Sequence, residues 1–236
     1  MSGDQPGTPG APLELVTVEG HLPFASNTTL LASDRAGEKW VYKPQQGESP
    51  LWDFPWMTLA AREVLTFETA AALELDIVPE TVLASGPMGP GSAQRFIAED
   101  LDFDPRRLYT PKLDEQLWPV AVLDLVTNNA DRKIGHVIRE ARSGRLWAID
   151  HGLTFHAHPK LRTVLWGFAG EPLPPDLVEG LRQLRAEVEG GLARRVGSLL
   201  SPPEAAAFVE RIDGLLRKPV HPEPPTDRPA VPWPLW

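Results

Sequence analysis

Residues 128–137 read Asn-Asn-Ala-Asp-Arg-Lys-Ile-Gly-His-Val, and residues 146–155 read Leu-Trp-Ala-Ile-Asp-His-Gly-Leu-Thr-Phe. Asp131 lies in a polar loop between apolar runs, whereas Asp150 ends a short apolar strand and is followed by His-Gly. A polar loop, a hairpin and an Asp-x-Gly turn bring two carboxylates close together. Phosphoryl transfer needs one carboxylate to orient a hydroxyl and another to hold a metal ion. The stretch therefore favours phosphotransfer chemistry.

The first half of the chain has the alternating apolar pattern of strands, with one helix after the third strand. The predicted strands span residues 13–19, 29–32, 39–43, 78–83 and 93–98, and the predicted helix spans residues 59–75. From residue 117 onward the pattern is mainly helical, with predicted helices at 117–127, 177–200 and 202–216. This order predicts an α+β protein of two lobes with a cleft between them.

Four regions are expected along the chain. Residues 1–12 are rich in proline and glycine, which predicts a disordered N-terminus. The β-rich lobe is expected to cover residues 13–99 and the α-rich lobe residues 100–218. Residues 219–236 form a proline-rich tail, expected to be extended, whose two tryptophans could dock on the body.

A lysine at the end of the third predicted strand is a candidate for phosphate binding. If the Lys43 side chain faces the cleft, it can neutralise phosphate charge, and Glu63 on the following helix is the carboxylate best placed to hold it. Each residue could instead be an ordinary surface charge. Lys43 and Asp150 come from opposite halves of the chain and can meet only in the cleft.

Composition limits the possible functions. The chain has 236 residues, of which 42% are hydrophobic and 23% charged, as in an ordinary globular protein. A formal net charge of −9 argues against nucleic-acid binding, because phosphate contacts need clustered Lys and Arg. No apolar run reaches the length of about 18 residues that predicts a membrane span. We expect no secretory signal, and the absence of cysteine fits a cytoplasmic address.

The chain resembles an actinobacterial family of small kinase-like proteins related to the phosphatidylinositol 3/4-kinases. The matching stretches are Ser26-Asn27, Tyr42-Lys43-Pro44, residues 50–55, Arg62-Glu63, Gln94-Arg95-Phe96, residues 128–133, Ile149-Asp150-His151-Gly152 and residues 161–166. They extend over most of the chain, and Asn-x-x-Asp-Arg followed by Ile-Asp-x-Gly is the most specific part. The resemblance implies a two-lobed minimal kinase-like fold, with ATP and Mg or Mn as cofactors.

The resemblance also implies roles for individual residues. Asp131 is expected to orient or deprotonate the acceptor hydroxyl, and Asp150 to hold the metal ions that bridge the phosphates. Lys43 matches the phosphate-binding lysine, and Glu63 matches its helix partner.

The remaining nucleotide contacts are expected at two other places. Ser26 and Asn27 lie in the loop between the first two strands, where backbone N–H groups and a hydroxyl can cover phosphates. That loop has no Walker A motif, so a plain hairpin is the alternative. The segment from Phe96 to Leu101, which includes Glu99, is expected to form the hinge against which adenine packs.

His136 and Lys133, which both follow Asp131 in the loop, raise separate questions. Lipid kinases carry a metal-binding Asn five positions after the catalytic Asp, and here that position is His136. Imidazole suits Mn better than Mg, which prefers oxygen ligands, so His136 is either a metal ligand or a structural histidine. Lys133 is either a cation that offsets charge on the transferred phosphoryl group or a solvated loop lysine.

The favoured function is an ATP- and divalent-metal-dependent phosphotransferase acting on a hydroxyl acceptor. The acceptor could be a protein Ser or Thr, including the chain's own, an inositol lipid or a small molecule. One alternative is a metal-dependent hydrolase that uses carboxylates and histidines, with His156 and His158 as a possible metal pair. Another is a pseudokinase that binds nucleotide without turnover. Lys160 and Arg162 follow Asp150 and could attract an anionic acceptor.

Overall fold

A computed structural model describes residues 12–22, 27–110 and 112–235. Seven strands, β1 to β7, span Leu13–His21, Leu30–Asp34, Lys39–Pro44, Thr81–Gly86, Gly89–Arg95, Val137–Arg139 and Leu146–Ala148. Five α-helices, α1 to α5, span Leu59–Ala72, Trp118–Thr127, Pro175–Glu189, Ala193–Leu199 and Pro202–Arg217. The mixed α+β content agrees with the sequence pattern. All but the last of the residues predicted to form a disordered N-terminus lie outside the described residues.

The first five strands close into a barrel in the order β1-β2-β3-β5-β4. Neighbouring strands are antiparallel, except that β1 and β4 run parallel where they close the barrel. Alternate side chains, such as those of Leu30, Ala32, Trp40 and Tyr42, fill a small core inside it. Strand β3 lies between β2 and β5, so its backbone is hydrogen-bonded on both sides and gives Lys43 a rigid base.

The hairpin of β4 and β5 differs from the prediction. The two strands begin and end several residues away from 78–83 and 93–98, because they continue through a glycine- and proline-rich turn. Gly91 in β5 explains why the pattern failed there. A Cβ at this position would lie 2.2 Å from the Lys43 carbonyl oxygen, so only glycine lets β5 pair closely with β3.

The helical part has its own, larger core. Buried residues of α1, α2, α3 and α5 form this core, including Leu65, Leu123, Leu184 and Phe208. The predicted helix at 177–200 is two helices, because the chain breaks at Gly190 between α3 and α4. In the described part of the chain, none of the helices combines the length and the apolar character needed to cross a membrane.

Candidate active site

A cleft lined by barrel strands, α1 and the β6–β7 hairpin encloses a cavity of about 720 Å³. Most of the residues singled out from the sequence line it, namely Asn27, Lys43, Glu63, Phe96, Glu99, Asp131, His136 and Asp150. Lys133 lies beside Asp131, and Ser26 lies outside the described residues. The fold thus gathers into one cavity residues that are far apart in the sequence.

Three charged side chains from different elements meet in the cleft. Lys43 Nζ of β3 lies 2.5 Å from Glu63 Oε1 of α1 and 3.0 Å from Asp150 Oδ1, which follows β7. Glu63 Oε2 also accepts the backbone N–H of His151 at 3.1 Å. Although burial lowers the pKa of Lys43, the carboxylates of Asp150 and Glu63 outweigh burial and raise it. The lysine is therefore held as a cation.

Asp150 has an unusual backbone conformation. Its φ of 60° lies in the left-handed region, which non-glycine residues seldom adopt. This turn directs the carboxylate back into the cleft, where 49% of the side chain is exposed. Burial raises the pKa of Asp150, but Lys43 and His136 outweigh it and lower the pKa well below its usual range. Asp150 therefore presents an anionic oxygen to the cavity.

His136 lies next to Asp150. Its Nε2 is 3.3 Å from Asp150 Oδ2, and its Nδ1 is buried without a hydrogen-bond partner among the described residues. Burial lowers the pKa of His136 to about 4, so the imidazole is neutral near pH 7. A neutral imidazole beside a carboxylate is able to coordinate a metal ion.

Asp131 and Lys133 form the opposite edge of the site. Lys133 Nζ is 3.1 Å from Asp131 Oδ2, and the Asp131 backbone N–H donates to Asn129 Oδ1 at 2.9 Å. Burial raises the pKa of Asp131, while Lys133 acts in the opposite direction. A carboxylate with a raised pKa is a stronger base once it is ionised.

A buried arginine fixes the loops that carry these groups. Arg132 is 0% exposed and donates from Nε to both oxygens of Asp124, on α2, at 3.2 and 2.9 Å. Its Nη1 donates to the carbonyl oxygens of His136 and Ile149, at 3.1 and 3.0 Å. A single guanidinium thus ties the loop of Asp131 to the strand end that carries Asp150.

Neither Arg132 nor Asp124 has a role predicted from the sequence. The signal for it was present, because Asp124 is the only charge within the otherwise apolar stretch Trp118–Thr127. A charge inside an apolar helix needs a buried partner.

The segment that follows Asp150 is tied down from two sides. Lys160 Nζ pairs with Asp53 Oδ2 at 2.6 Å, which explains the charge within the aromatic run at 50–57. Arg162 Nε donates to the Ala130 carbonyl oxygen at 2.8 Å. A parallel bridge then joins Arg132 and Thr163. Lys160 and Arg162 therefore hold the segment in place, whatever else they contact.

The expected hinge connects the barrel to the β6–β7 hairpin. The Phe96 N–H donates to the Lys39 carbonyl oxygen at 3.0 Å. Glu99 forms an isolated antiparallel bridge with Glu140 and lines the cavity, and burial raises its pKa.

At the opposite rim, Asn27 Oδ1 accepts the Ser49 N–H at 2.8 Å, which ties the loop after β1 to the chain after β3.

The histidines do not gather into a metal site of their own. His156 packs edge-on against Phe54 at 5.3 Å and lies 5.5 Å from His158, both ring-centroid distances. Both ring nitrogens of His151 are buried without a hydrogen-bond partner, among the residues that the structure describes. Across residues 12–22, 27–110 and 112–235, no three His, Asp or Glu side chains are grouped to hold a metal ion.

Solved structures with a similar fold are kinases. A proinflammatory kinase of Helicobacter pylori, CtkA, superposes with a TM-score of 0.56 at 11% identity, over 88% of this chain and 93% of that chain. The Golgi casein kinase, solved with Mn/ADP bound, gives a TM-score of 0.55 at 12% identity, over 88% and 72% of the two chains. The protein therefore has a kinase-like fold.

Sequence comparison identifies the family. The chain is 35% identical to protein Rv2133c of Mycobacterium tuberculosis (strain ATCC 25618 / H37Rv), over 94% of this chain and 92% of that protein. The chain belongs to the same family as protein Rv2133c. No protein-family model matches it.

Proposed function

We propose that the protein is an ATP-dependent phosphotransferase with a two-lobed, minimal kinase-like architecture, related to the phosphatidylinositol 3/4-kinases. The observation that carries the proposal is the meeting of Lys43, Glu63 and Asp150 in a cavity that Asp131 also lines. These residues come from four separate stretches of the chain. Phosphoryl transfer requires a cation that binds the phosphates, a carboxylate that holds the metal ion and a second carboxylate at the acceptor hydroxyl. This set supplies all three.

Each residue has a defined task in this proposal. Lys43, held by Glu63, binds the phosphates of ATP, and adenine packs against the hinge from Phe96 to Leu101. Asp131 orients the acceptor hydroxyl and accepts its proton, for which its raised pKa suits it. Lys133 lies 3.1 Å from Asp131 and offsets charge on the transferred phosphoryl group. Asn27 lies at the end of the loop that we assign to the phosphates, and the sequence assigns Ser26 to the same loop.

The donor set fits a divalent cation that phosphate oxygens help to coordinate. Such ions commonly take only one or two protein carboxylates when nucleotide supplies other ligands. Asp150 supplies an anionic oxygen, and His136 supplies a neutral nitrogen that lies 3.3 Å from it. When bound, the cation neutralises charge on the phosphates. Because imidazole replaces an oxygen ligand, we propose that Mn is preferred over Mg.

The first test is nucleotide binding. ATP with Mn or Mg should raise the melting temperature, with a stabilisation of about 2.7 kcal/mol at a hundredfold excess over Kd. Lys43→Met should remove this shift. Lys39→Met is the matched control, because Lys39 lies on the same strand but pairs with Glu19, 3.0 Å away, at the surface. No shift at millimolar nucleotide with either metal would refute the proposal.

The second test is turnover. Incubation with γ-labelled ATP and either metal should transfer label to the protein itself, to a lipid extract or to small molecules, and the labelled fraction identifies the acceptor class. Nucleotide binding without any ATP consumption would instead establish a pseudokinase. Phosphoester hydrolysis without nucleotide would establish a hydrolase.

A further inference from the structure

The carboxyl-terminal tail, residues 219–235, is anchored to the helical part at its start. The Leu173 N–H donates to the Pro219 carbonyl oxygen at 2.9 Å, and His221 exchanges two backbone hydrogen bonds with the chain at 170–171. The His221 side chain is 1% exposed and lies among Trp118, Trp166 and Phe168, with ring centroids at 6.2, 5.6 and 6.4 Å. An anchor of this kind holds the tail against the body rather than leaving it in solvent.

The far end of the tail reaches both segments that flank Asp131. The carbonyl oxygen of Ala230 accepts two hydrogen bonds, from the Thr163 N–H at 3.0 Å and from the Trp166 indole N–H at 2.7 Å. The carbonyl oxygen of Leu235 accepts the Ile134 N–H at 3.0 Å. Ile134 immediately follows Lys133 and begins the turn that ends at His136.

These contacts use the backbone of the tail and not its tryptophan. Trp233 is 89% exposed and so does not dock on the body, which the sequence had left as a possibility, and Trp236 lies outside the described residues. A proline-rich segment has few conformations to lose, so docking it costs little entropy. Its carbonyl oxygens satisfy loop N–H groups that have no strand or helix partner.

We infer that the tail is a positioning element for phosphoryl transfer, which holds the segment around Thr163 and the turn of Lys133 and His136 in their active arrangement. This inference rests on the proposed phosphotransferase function. It predicts that the tail affects turnover far more than nucleotide binding, because the tail contacts are to loops on the Asp131 side of the cleft. The one proposed metal ligand in those loops, His136, is also held by Arg132, whose Nη1 donates to its carbonyl oxygen at 3.1 Å. Lys43, Glu63 and Asp150 are held by contacts that do not include the tail.

The test uses two truncations of the full chain. A chain that ends at residue 231 keeps the two hydrogen bonds to the Ala230 carbonyl oxygen and loses the one to Leu235. A chain that ends at residue 229 loses all three. Trp166→Phe removes one N–H donor to Ala230 and keeps the aromatic ring against His221. Trp233→Ala is the matched control within the tail, because its exposed indole should not matter.

Turnover should fall about threefold for Trp166→Phe, since one hydrogen bond is lost. It should fall about tenfold for the chain ending at 231 and about a hundredfold for the chain ending at 229, because small misplacements of reacting groups are costly. The Kd for ATP should stay within about twofold in every variant. Amide hydrogen exchange should quicken at Ile134 in both truncations, and at Thr163 only in the shorter one.

Each of the following outcomes would overturn the inference. Higher turnover after truncation means that the tail blocks the site, and unchanged turnover with faster exchange means that the contacts are only structural. Unchanged exchange in the shorter truncation means that the tail does not dock. A wild type that binds no nucleotide refutes the proposed function and this role with it, whereas a wild type that turns over no faster than its truncations refutes the tail's role alone.

Discussion

The two walls of the cleft are built in different ways. The ion-paired wall consists of Lys43, Glu63 and Asp150, in which both carboxylates pair with the Lys43 ammonium group. The backbone-held wall consists of residues 129–136, which are joined to residues 160–166 and the tail behind them mainly by peptide hydrogen bonds. The first wall depends on the charge of single side chains, so one substitution should abolish it. The second depends on loop geometry, so most single substitutions should weaken it by degrees.

The largest effect is expected at the ion-paired wall, from Asp150→Asn. An amide lacks the anionic oxygen that a divalent cation requires, so metal-dependent ATP binding and turnover should both be lost. The measurement is the nucleotide-dependent rise in melting temperature, with Asp102→Asn, at an exposed position, as control. If Asp150→Asn still binds ATP with metal as the wild type does, the ion-paired wall is not the metal site.

Asp131→Asn, at the backbone-held wall, should separate binding from turnover. The carboxylate acts on the acceptor and not on ATP, so the Kd for ATP should be unchanged while turnover falls by about 10²–10⁴. Because burial raises the pKa of Asp131, wild-type activity should fall as the pH drops through a value above the usual 3.8. A steady-state assay over the acid range checks both points, and equal losses of binding in Asp131→Asn and Asp150→Asn would contradict this division of roles.

Arg132→Lys tests whether one guanidinium connects the two walls. Lysine keeps the charge beside Asp124 but cannot also donate to the carbonyl oxygens of His136 and Ile149. Turnover should fall about tenfold to a hundredfold, more than the nucleotide affinity does, with a loss of stability of about 2–4 kcal/mol. Arg185→Lys, whose side chain pairs with Asp213 on the helical side, is the control. If turnover falls only in proportion to the folded fraction, Arg132 is purely structural.

The smallest effect is expected from His136→Asn. An amide oxygen in place of imidazole should shift the ratio of Mn- to Mg-supported activity toward Mg by a few-fold, because Mg favours oxygen ligands. Total activity with the better metal should change little. Rates with each metal at saturating ATP give the ratio, and His158→Asn is the exposed control. An unchanged ratio identifies His136 as structural.

The sequence predicted the elements of the ion-paired wall well. Lys43 is the last residue but one of β3, Glu63 lies on α1, and Asp150 follows β7 by two residues, all close to what the patterns indicate. Short-range periodicity specifies such elements, since a strand or helix repeats over a few residues. The parallel pairing of β1 with β4, the exact limits of β4 and β5, and the break in the long helix were not predicted, because glycines and distant partners decide them.

The sequence by itself determined which charges are available and on which elements they lie: two aspartates that flank a hairpin, a strand lysine and a helix glutamate. Only the tertiary structure decided that Arg132 lies buried between Asp124 and two carbonyl oxygens, that Asp53 pairs with Lys160, and that the tail returns to Ile134. The physical reason is that these contacts join residues distant in sequence, several through backbone groups that every residue carries. Backbone groups leave no mark on the pattern of residue types, so their pairing becomes visible only when the chain is folded.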